Sequence, residues 1–339
     1  MTLRWGILST ARIGIRRFLP AVRAVGGEVV AISSRRESVT SVARDHAISR
    51  SYIGHAALLE DPDIDAVYIP LPNALHAEWI GRAAAAGKHV LCEKPIVGSR
   101  EELDEASSAC ENAGVALMEG FMYRHHPQQA RLRVLIGSGA VGELKALRGR
   151  FHFAIDRDRE DIRFDPDLGG GSLNDVGCYP VDAIVSLLGQ APNSAQAAGH
   201  FERGVDTYTS GVLGFDNVAA SFDCGFDGPL VNRLEVLGTG GRIELDKAFD
   251  PLPHEAATVT VWGRDDELVS RETFVTDQFA DGIAAFQAWV KSGRRGLMDR
   301  ELVEASLLTR AALHRSMAAP SPDADPRQTS IPMDRKVVT

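Results

Sequence analysis

The segment Gly87-Lys88-His89-Val90-Leu91-Cys92-Glu93-Lys94-Pro95 carries a short apolar run into a Glu-Lys-Pro corner. The run 89–92 reads as a buried strand of a parallel sheet, after a helical pattern over 74–86. Open α/β sheets bind ligands just beyond the carboxyl ends of their strands. Lys94 falls at that edge, held by the stiff Pro95, so its ammonium is a candidate catalytic group. A second constellation is Gly169-Gly170-Gly171-Ser172-Leu173-Asn174-Asp175-Val176-Gly177-Cys178-Tyr179-Pro180-Val181-Asp182. Its glycines allow a loop to pass close to a ligand. A helix is expected to begin near Asp175, where an acid suits the positive end of the helix dipole. Pro180 then sits in a first turn, where its missing N–H is not needed. Asp175 and Tyr179 are four apart and share a helix face, and Asp182 lies on nearly the same one. The plainer readings are a capping Asp175 and a core Tyr179.

A nucleotide site is expected nearer the N-terminus. A strand-like 3–9 runs into Gly6-Ile7-Leu8-Ser9-Thr10-Ala11-Arg12-Ile13-Gly14 and then a helical stretch. A dinucleotide loop needs small residues, because the turn is tight and the backbone approaches the pyrophosphate at a helix N-terminus. Ser9-x-Ala11-x-x-Gly14 supplies them without the full glycine pattern. Ser9, Thr10, Ala11, Arg12 and Ile13 are therefore expected to hold a phosphate; the alternative is an ordinary strand-to-helix turn. The second strand ends in Ile32-Ser33-Ser34-Arg35-Arg36. An NAD enzyme usually has an acid there for the ribose diol. Ser34 and Arg35 instead favour a 2′-phosphate, which Arg binds bidentately, and so NADP over NAD, with NAD still possible.

These groups must be positioned by a large scaffold. The chain has 339 residues, which makes two domains the default. The first third alternates strand and helix in the cadence of a doubly wound parallel sheet. Strands are expected at 28–34, 65–70, 89–92 and 115–118, with helices at 13–25, 37–46, 74–86 and 100–113. Pro20 should kink or restart the first of these helices. Beyond residue 123 strands dominate, at 144–155, 207–215, 218–226, 232–237, 242–245 and 257–262. Helices at 179–188, 279–291 and 300–316 would cover part of a mostly antiparallel sheet. The expected division is therefore a Rossmann domain over 1–123, an α+β substrate and oligomerisation domain over 124–320, and an extended or disordered 321–339. A net charge of −9 argues against nucleic acid or an anionic membrane as partner. No apolar run approaches the roughly 18 residues needed to span a bilayer. Four widely spaced cysteines fit reduced thiols, and with no signal-peptide pattern the expectation is a cytoplasmic protein. No cluster has metal-ligand spacing.

Four segments together resemble the glucose–fructose oxidoreductase / inositol dehydrogenase family, in the branch with dihydrodiol and D-xylose dehydrogenases. They are the N-terminal loop with "SSRR", "IPLPNALHAEWIGRAAAAGKHVLCEKP", "EGFMYRHHP" and "GGGSLNDVGCYPVD". The resemblance implies a Rossmann domain and a C-terminal domain whose open sheet often forms the interface of a homodimer or homotetramer. It implies oxidation or reduction of a sugar, polyol or diol. It places Lys94 by the nicotinamide and substrate and Glu93 on the nicotinamide side. It implies a Lys94–Pro95 bond that is often cis, and cofactor contacts from Leu71, Pro72, Asn73 and His76. Tyr179 occupies the position of the second catalytic group, and Tyr123, Arg124 and His125 would face the cleft. Arg163 is expected at phosphate or substrate, or in a surface salt bridge. Tyr179 would be the acid/base, its pKa lowered by Lys94; a desolvated Lys94 as base is the converse. A nucleotide-sensing regulator, or an enzyme retaining NAD for transient oxidation, are the other functional readings.

Overall fold

The computed structural model describes residues 2–158 and 160–317; the expected extended tail over 321–339 lies outside them. Six strands alternate with helices in the first part of the chain: β1 (Arg4–Leu8), β2 (Glu28–Ser34), β3 (Arg50–Ile53), β4 (Ala66–Ile69), β5 (His89–Cys92) and β6 (Ala116–Glu119). Then come β7 (Leu144–Ala154), β8 (Ser194–Glu202), β9 (Val205–Gly214), β10 (Ala219–Gly225), β11 (Asp227–Gly238), β12 (Gly241–Asp246), β13 (Ala257–Gly263), β14 (Leu268–Phe274) and β15 (Gly296–Leu297).

The first sheet has the order β15-β6-β5-β4-β1-β2-β3 and its pairings are parallel. β1 lies between β2 and β4, so successive crossovers leave it in opposite directions. This is the switch point at which an open sheet presents a crevice beyond its strand ends. The loops after β1, β4 and β5 carry Ser9, Leu71 and Lys94, and β2 ends at Ser34. Near-continuous apolar strands such as β4, buried at all four positions, fit a sheet covered on both faces. One apolar cluster packs on each face, around Leu8, Val67 and Ile80 on one side and Trp5, Phe18 and Tyr68 on the other.

The second sheet runs β14-β13-β12-β11-β7-β10-β9-β8 and is antiparallel except where β7 and β10 pair in parallel. Helix Cys178–Leu188 packs on one face of it over Leu147, Phe222 and Val236. The other face is open and carries Tyr208 and Val212 at the surface.

Several elements differ from expectation for identifiable reasons. The first helix is two segments, a wide turn over Gly14–Phe18 and an α-helix over Leu19–Ala24. Pro20 lies in the first turn of the second, where it lacks no bond. The helix expected at Asp175 starts earlier, at Leu173, again as a wide turn before Cys178–Leu188. Helix Pro127–Gly137 was not expected, because its apolar residues follow no stripe; His126 caps it by accepting from the Gln128 amide, and Pro127 opens it. β8 and β14 were missed because they are mostly exposed edge strands.

The division at 124–320 needs correction, because the chain returns to the first sheet. Helix Gln278–Lys291 buries Phe279, Ile283 and Phe286 against Trp5 and Phe18, and β15 pairs with β6. Helix Arg300–Met317 then spans both parts: Val303 and Leu307 join a core of the first, Leu313 and Met317 the core of the second.

The helix bearing Tyr179 sits directly on β7. A Cβ added at Gly149 would lie 2.4 Å from the Pro180 Cβ. Gly149→Val is expected to lift that helix and to cost about 1–3 kcal/mol. The measurement is the urea midpoint, with unchanged stability counting against the contact.

Candidate active site

The Glu-Lys-Pro corner is braced from beneath. The Gly120 amide donates to the Cys92 carbonyl at 2.6 Å, and a Cβ at Gly120 would come within 3.0 Å of that oxygen. Any side chain there would push β6 off the corner. The Lys94–Pro95 bond is cis. His76 bridges the Pro95 and Leu71 carbonyls, each at 2.9 Å from a ring nitrogen. The Ile96 amide donates to the buried Glu119 carboxylate at 3.0 Å. The backbone around Lys94 is thus tied to β4, β6 and the helix His76–Ala85.

His76 is therefore a strut. Its ring is wholly buried with both nitrogens engaged, so the expected cofactor contact is not available to it. Glu93 also turns inward. Tyr68 donates to Glu93 Oε1 at 2.5 Å, and the Lys94 amide donates to Oε2 at 3.3 Å. Burial raises the Glu93 pKa, while the Lys94 ammonium pulls it down.

Lys94 reaches out of the first domain to the second. Its Nζ donates to the Asp175 carbonyl at 2.5 Å and to Asp175 Oδ1 at 3.1 Å. Arg163 Nε donates to the other carboxylate oxygen at 2.6 Å. Burial alone would raise the Asp175 pKa, but the two cations outweigh it and bring it down to about 2. The Lys94 ammonium is penalised by burial and then held charged by Asp175, with a net upward shift. A neutral, desolvated Lys94 acting as base does not fit this pairing. Of the alternatives for Arg163, a phosphate or substrate contact or a salt bridge, the structure shows salt bridges, to Asp175 and Asp161.

Asp175 does not cap its helix. Asp206 of β9 does so, with its buried carboxylate accepting from Ser172 Oγ at 2.6 Å and from the Leu173 amide at 2.7 Å. The glycines before it face protein rather than ligand. A Cβ at Gly171, whose φ is 107°, would meet Asp206 Oδ1 at 2.3 Å, and one at Gly170 would meet the Arg163 carbonyl at 2.5 Å. Asn73 closes the same loop from the first domain, donating to the Gly169 carbonyl at 2.9 Å.

Tyr179 stands one turn beyond Asp175. Lys94 Nζ lies 4.9 Å from the centre of its ring. Phe121, Phe151 and Phe249 pack around that ring at 5.3–6.0 Å. Lys94 does pull the Tyr179 pKa down, as expected, but the net shift is upward. Burial dominates and drives it up, with Lys94 opposing only in part. The resting phenol is protonated. Tyr123 and Arg124 do not face the cleft. Both bind the fully buried Asp182 carboxylate, to which Ser306 also donates at 2.8 Å.

The nucleotide end is a cavity of about 370 Å³ whose walls include Ser9, Thr10, Ser34, Arg35, Leu71 and Pro72. Six residues expected at a cofactor are thus brought to one cavity. Ala11, Arg12 and Ile13 lead from it into the helix, and the Ala11 amide is tied back to Ser9 Oγ at 2.9 Å. Beside Arg36, Leu75 and Glu78, the cavity is also lined by Trp79 and His55, which sequence reasoning missed. Their rings meet edge-on at 5.1 Å, and Ser33 Oγ holds His55 Nδ1 at 2.8 Å. Trp79 lies three residues after His76 on one helix, a spacing that could have flagged it. Among the described residues no His/Cys/Asp/Glu group is placed to hold a metal.

Removing Asp175 would strand a buried ammonium. Asp175→Ala is expected to cost about 3 kcal/mol or more of unfolding free energy. Asp175 has a folded pKa of about 2 against an ordinary 3.8. Its contribution is therefore present above the ordinary value and lost as pH falls through the folded one. Urea midpoints of wild type and Asp175→Asn should converge from about pH 4 to pH 2; a constant gap would contradict the pairing.

The chain matches two family models. Residues 3–121 match an oxidoreductase family with an NAD-binding Rossmann fold, and residues 129–244 match the GFO/IDH/MocA C-terminal domain. It is 41% identical to a D-xylose 1-dehydrogenase (NADP(+)) from Haloferax volcanii, over 93% of this chain and 97% of that one. It is 32% identical to a trans-1,2-dihydrobenzene-1,2-diol dehydrogenase from Xenopus laevis, over 72% of this chain and 76% of the other. A 3-ketoreductase from Actinomadura kijaniata, solved with NADP and TDP-benzene, superimposes with a TM-score of 0.84 at 34% identity, covering 94% of this chain and 98% of that one. With its parallel nucleotide-type sheet, its open second sheet and a Lys–Asp–Tyr cluster between them, this chain belongs to the GFO/IDH/MocA family of oxidoreductases.

Proposed function

We propose that the protein is an NADP-dependent dehydrogenase that works between the carbinol and carbonyl forms of a sugar, polyol or trans-diol. The observation carrying this reading is the meeting of Lys94, Asp175 and Tyr179 at the end of β5, one loop away from the Ser34–Arg35 cavity. NADP fits the residues present. The cavity has no acid at 33–36 and has two guanidinium groups, Arg35 and Arg36, where a 2′-phosphate would lie. Gly14 packs the following helix onto β1, since a Cβ there would meet Ile7 at 3.3 Å. Ser9, Thr10, Ala11, Arg12 and Ile13 would hold the pyrophosphate at the helix start.

NADP supplies hydride transfer when bound. The rest falls to the protein. Lys94, kept charged by Asp175, offers an ammonium to the substrate oxygen and stabilises negative charge that develops there. Tyr179, protonated at rest, donates its proton to that oxygen in reduction and must lose it in oxidation. The aromatic wall of Phe121, Phe151 and Phe249 keeps this exchange away from bulk water. Asp175 orients Lys94, and Arg163 orients Asp175.

Two of the relatives named above support the substrate class, one a D-xylose 1-dehydrogenase and one a dihydrodiol dehydrogenase. The open face of the second sheet, with Tyr208 and Val212 exposed, supports a homodimer or homotetramer. Four buried, unpaired cysteines support a cytoplasmic setting; no helix among the described residues is long and apolar enough to cross a membrane.

Because burial keeps the Tyr179 phenol protonated, oxidation should speed up steadily from neutral toward alkaline pH, while reduction stays nearly flat. Steady-state rates in both directions test this, and an oxidation rate level across neutral pH would refute it. Tyr179→Phe should lower kcat by roughly a hundredfold or more; near-normal turnover at saturating substrate would remove Tyr179 from the mechanism. Arg35→Ala should raise the KM for NADP roughly tenfold or more and leave that for NAD little changed, measured from nicotinamide absorbance.

A further inference from the structure

Asp250 lies in the loop between β12 and β13, at the place where the second sheet meets the first domain. Its Oδ1 pairs with Arg17 Nη1 at 3.1 Å and accepts from Gln278 Nε2 at 2.9 Å. Arg17 also donates to the Pro251 carbonyl at 3.1 Å, and its guanidinium lies 4.9 Å over the Phe279 ring. Arg17 belongs to the turn Gly14–Phe18, directly after the phosphate loop, and Gln278 opens the helix that returns to the first sheet. Two separated segments thus hold the carboxylate of a third still.

Both contacts fall on Oδ1. Oδ2 has no hydrogen-bond partner among the described residues, and the side chain is 43% exposed. The neighbouring Phe249 is fully buried with its ring 6.0 Å from that of Tyr179. The Asp250 charge acts on both Tyr179 and Lys94. Beyond the bonds to Arg17 and Gln278, no described residue uses the second oxygen of this fixed carboxylate, one residue along the chain from a ring that packs on Tyr179.

We propose that Asp250 is a substrate-binding residue, whose Oδ2 accepts a hydrogen bond from a substrate hydroxyl other than the reacting one and whose charge selects neutral polyhydroxylated compounds over anionic ones. The inference rests on the dehydrogenase reading and deepens it. A carboxylate accepts hydroxyl protons and repels phosphate or carboxylate groups. A site built to bind a hydroxyl discriminates against analogues that lack it. Arg17 gives the arrangement rigidity from the cofactor side, so the acceptor is placed before the substrate arrives.

The test compares wild type with Asp250→Asn, which keeps shape and the capacity to bond Arg17 or Gln278, and with Asp250→Glu. Melting temperatures establish that each variant is folded. The probes are D-xylose, its single-deoxy derivatives, xylitol and a sugar phosphate. The readouts are steady-state turnover with NADP and sugar titration of the NADPH complex by nicotinamide fluorescence. Asp250→Asn should weaken neutral sugars by roughly ten- to a hundredfold, leave the KM for NADP within about twofold, and lose nothing further against one deoxy derivative, as coupled groups do. It should also narrow the gap between the sugar phosphate and the neutral sugars. Unchanged turnover in Asp250→Asn, or an equal loss on every probe and on NADP, would overturn the proposal and leave the dehydrogenase reading intact. Asp250-dependent sugar binding without hydride transfer would do the reverse. If wild type neither binds nor oxidises any probe, both fall.

Discussion

The Lys94–Asp175 ion pair is the constraint on which the rest of the site depends. Lys94 ends a strand of the first domain, and Asp175 lies in the opening turn of the second domain's helix. Both side chains are largely buried, at 10% and 18% exposure. Two charges removed from water are costly unless each is fully engaged. The surrounding structure meets that demand. Lys94 takes both the carbonyl and a carboxylate oxygen of Asp175, and Arg163 takes the second. His76, Glu119 and Gly120 fix the corner, and Asp206 fixes the start of the opposing helix. The pair thereby sets the distance between two sheets that share no strand pairing.

Burial and charge act on these groups in opposite senses, and which wins differs by residue. Two cations overcome burial at Asp175, which stays ionised. One cation above the ring, not at the hydroxyl, does not overcome it at Tyr179, which stays a phenol. A charged donor and a neutral acid side by side are the separation of roles that carbonyl and carbinol chemistry needs. The aromatic packing that raises the phenol's pKa also keeps water from the exchange.

Much of this was legible in the chain. The alternation of apolar runs with helical patterns is a local property, so the parallel sheet and the positions of β2 and β5 could be read closely. Small residues at Ser9, Ala11 and Gly14, and the missing acid near Ser34, are also local signals. Edge strands such as β8 and β14 were not legible, because a strand exposed along most of its length carries no apolar alternation. The return of helix Gln278–Lys291 to the first domain was hidden as well. An apolar helix face announces burial, but not which of two cores receives it.

The sequence by itself determined the residue types available at each strand end: an ammonium at 94, a carboxylate at 175, a phenol at 179, and hydroxyls with guanidinium groups at 33–36. It determined too that they sit on a doubly wound sheet followed by a second, strand-rich part. Only the tertiary structure decided who pairs with whom. It turned His76, Tyr123 and Arg124 inward, gave the helix cap to Asp206, committed Arg163 to Asp175, and brought Asp250 to Arg17 and Gln278. The physical reason is that charge states and hydrogen-bond partners depend on burial and on neighbours tens to hundreds of residues away. Local sequence patterns record neither.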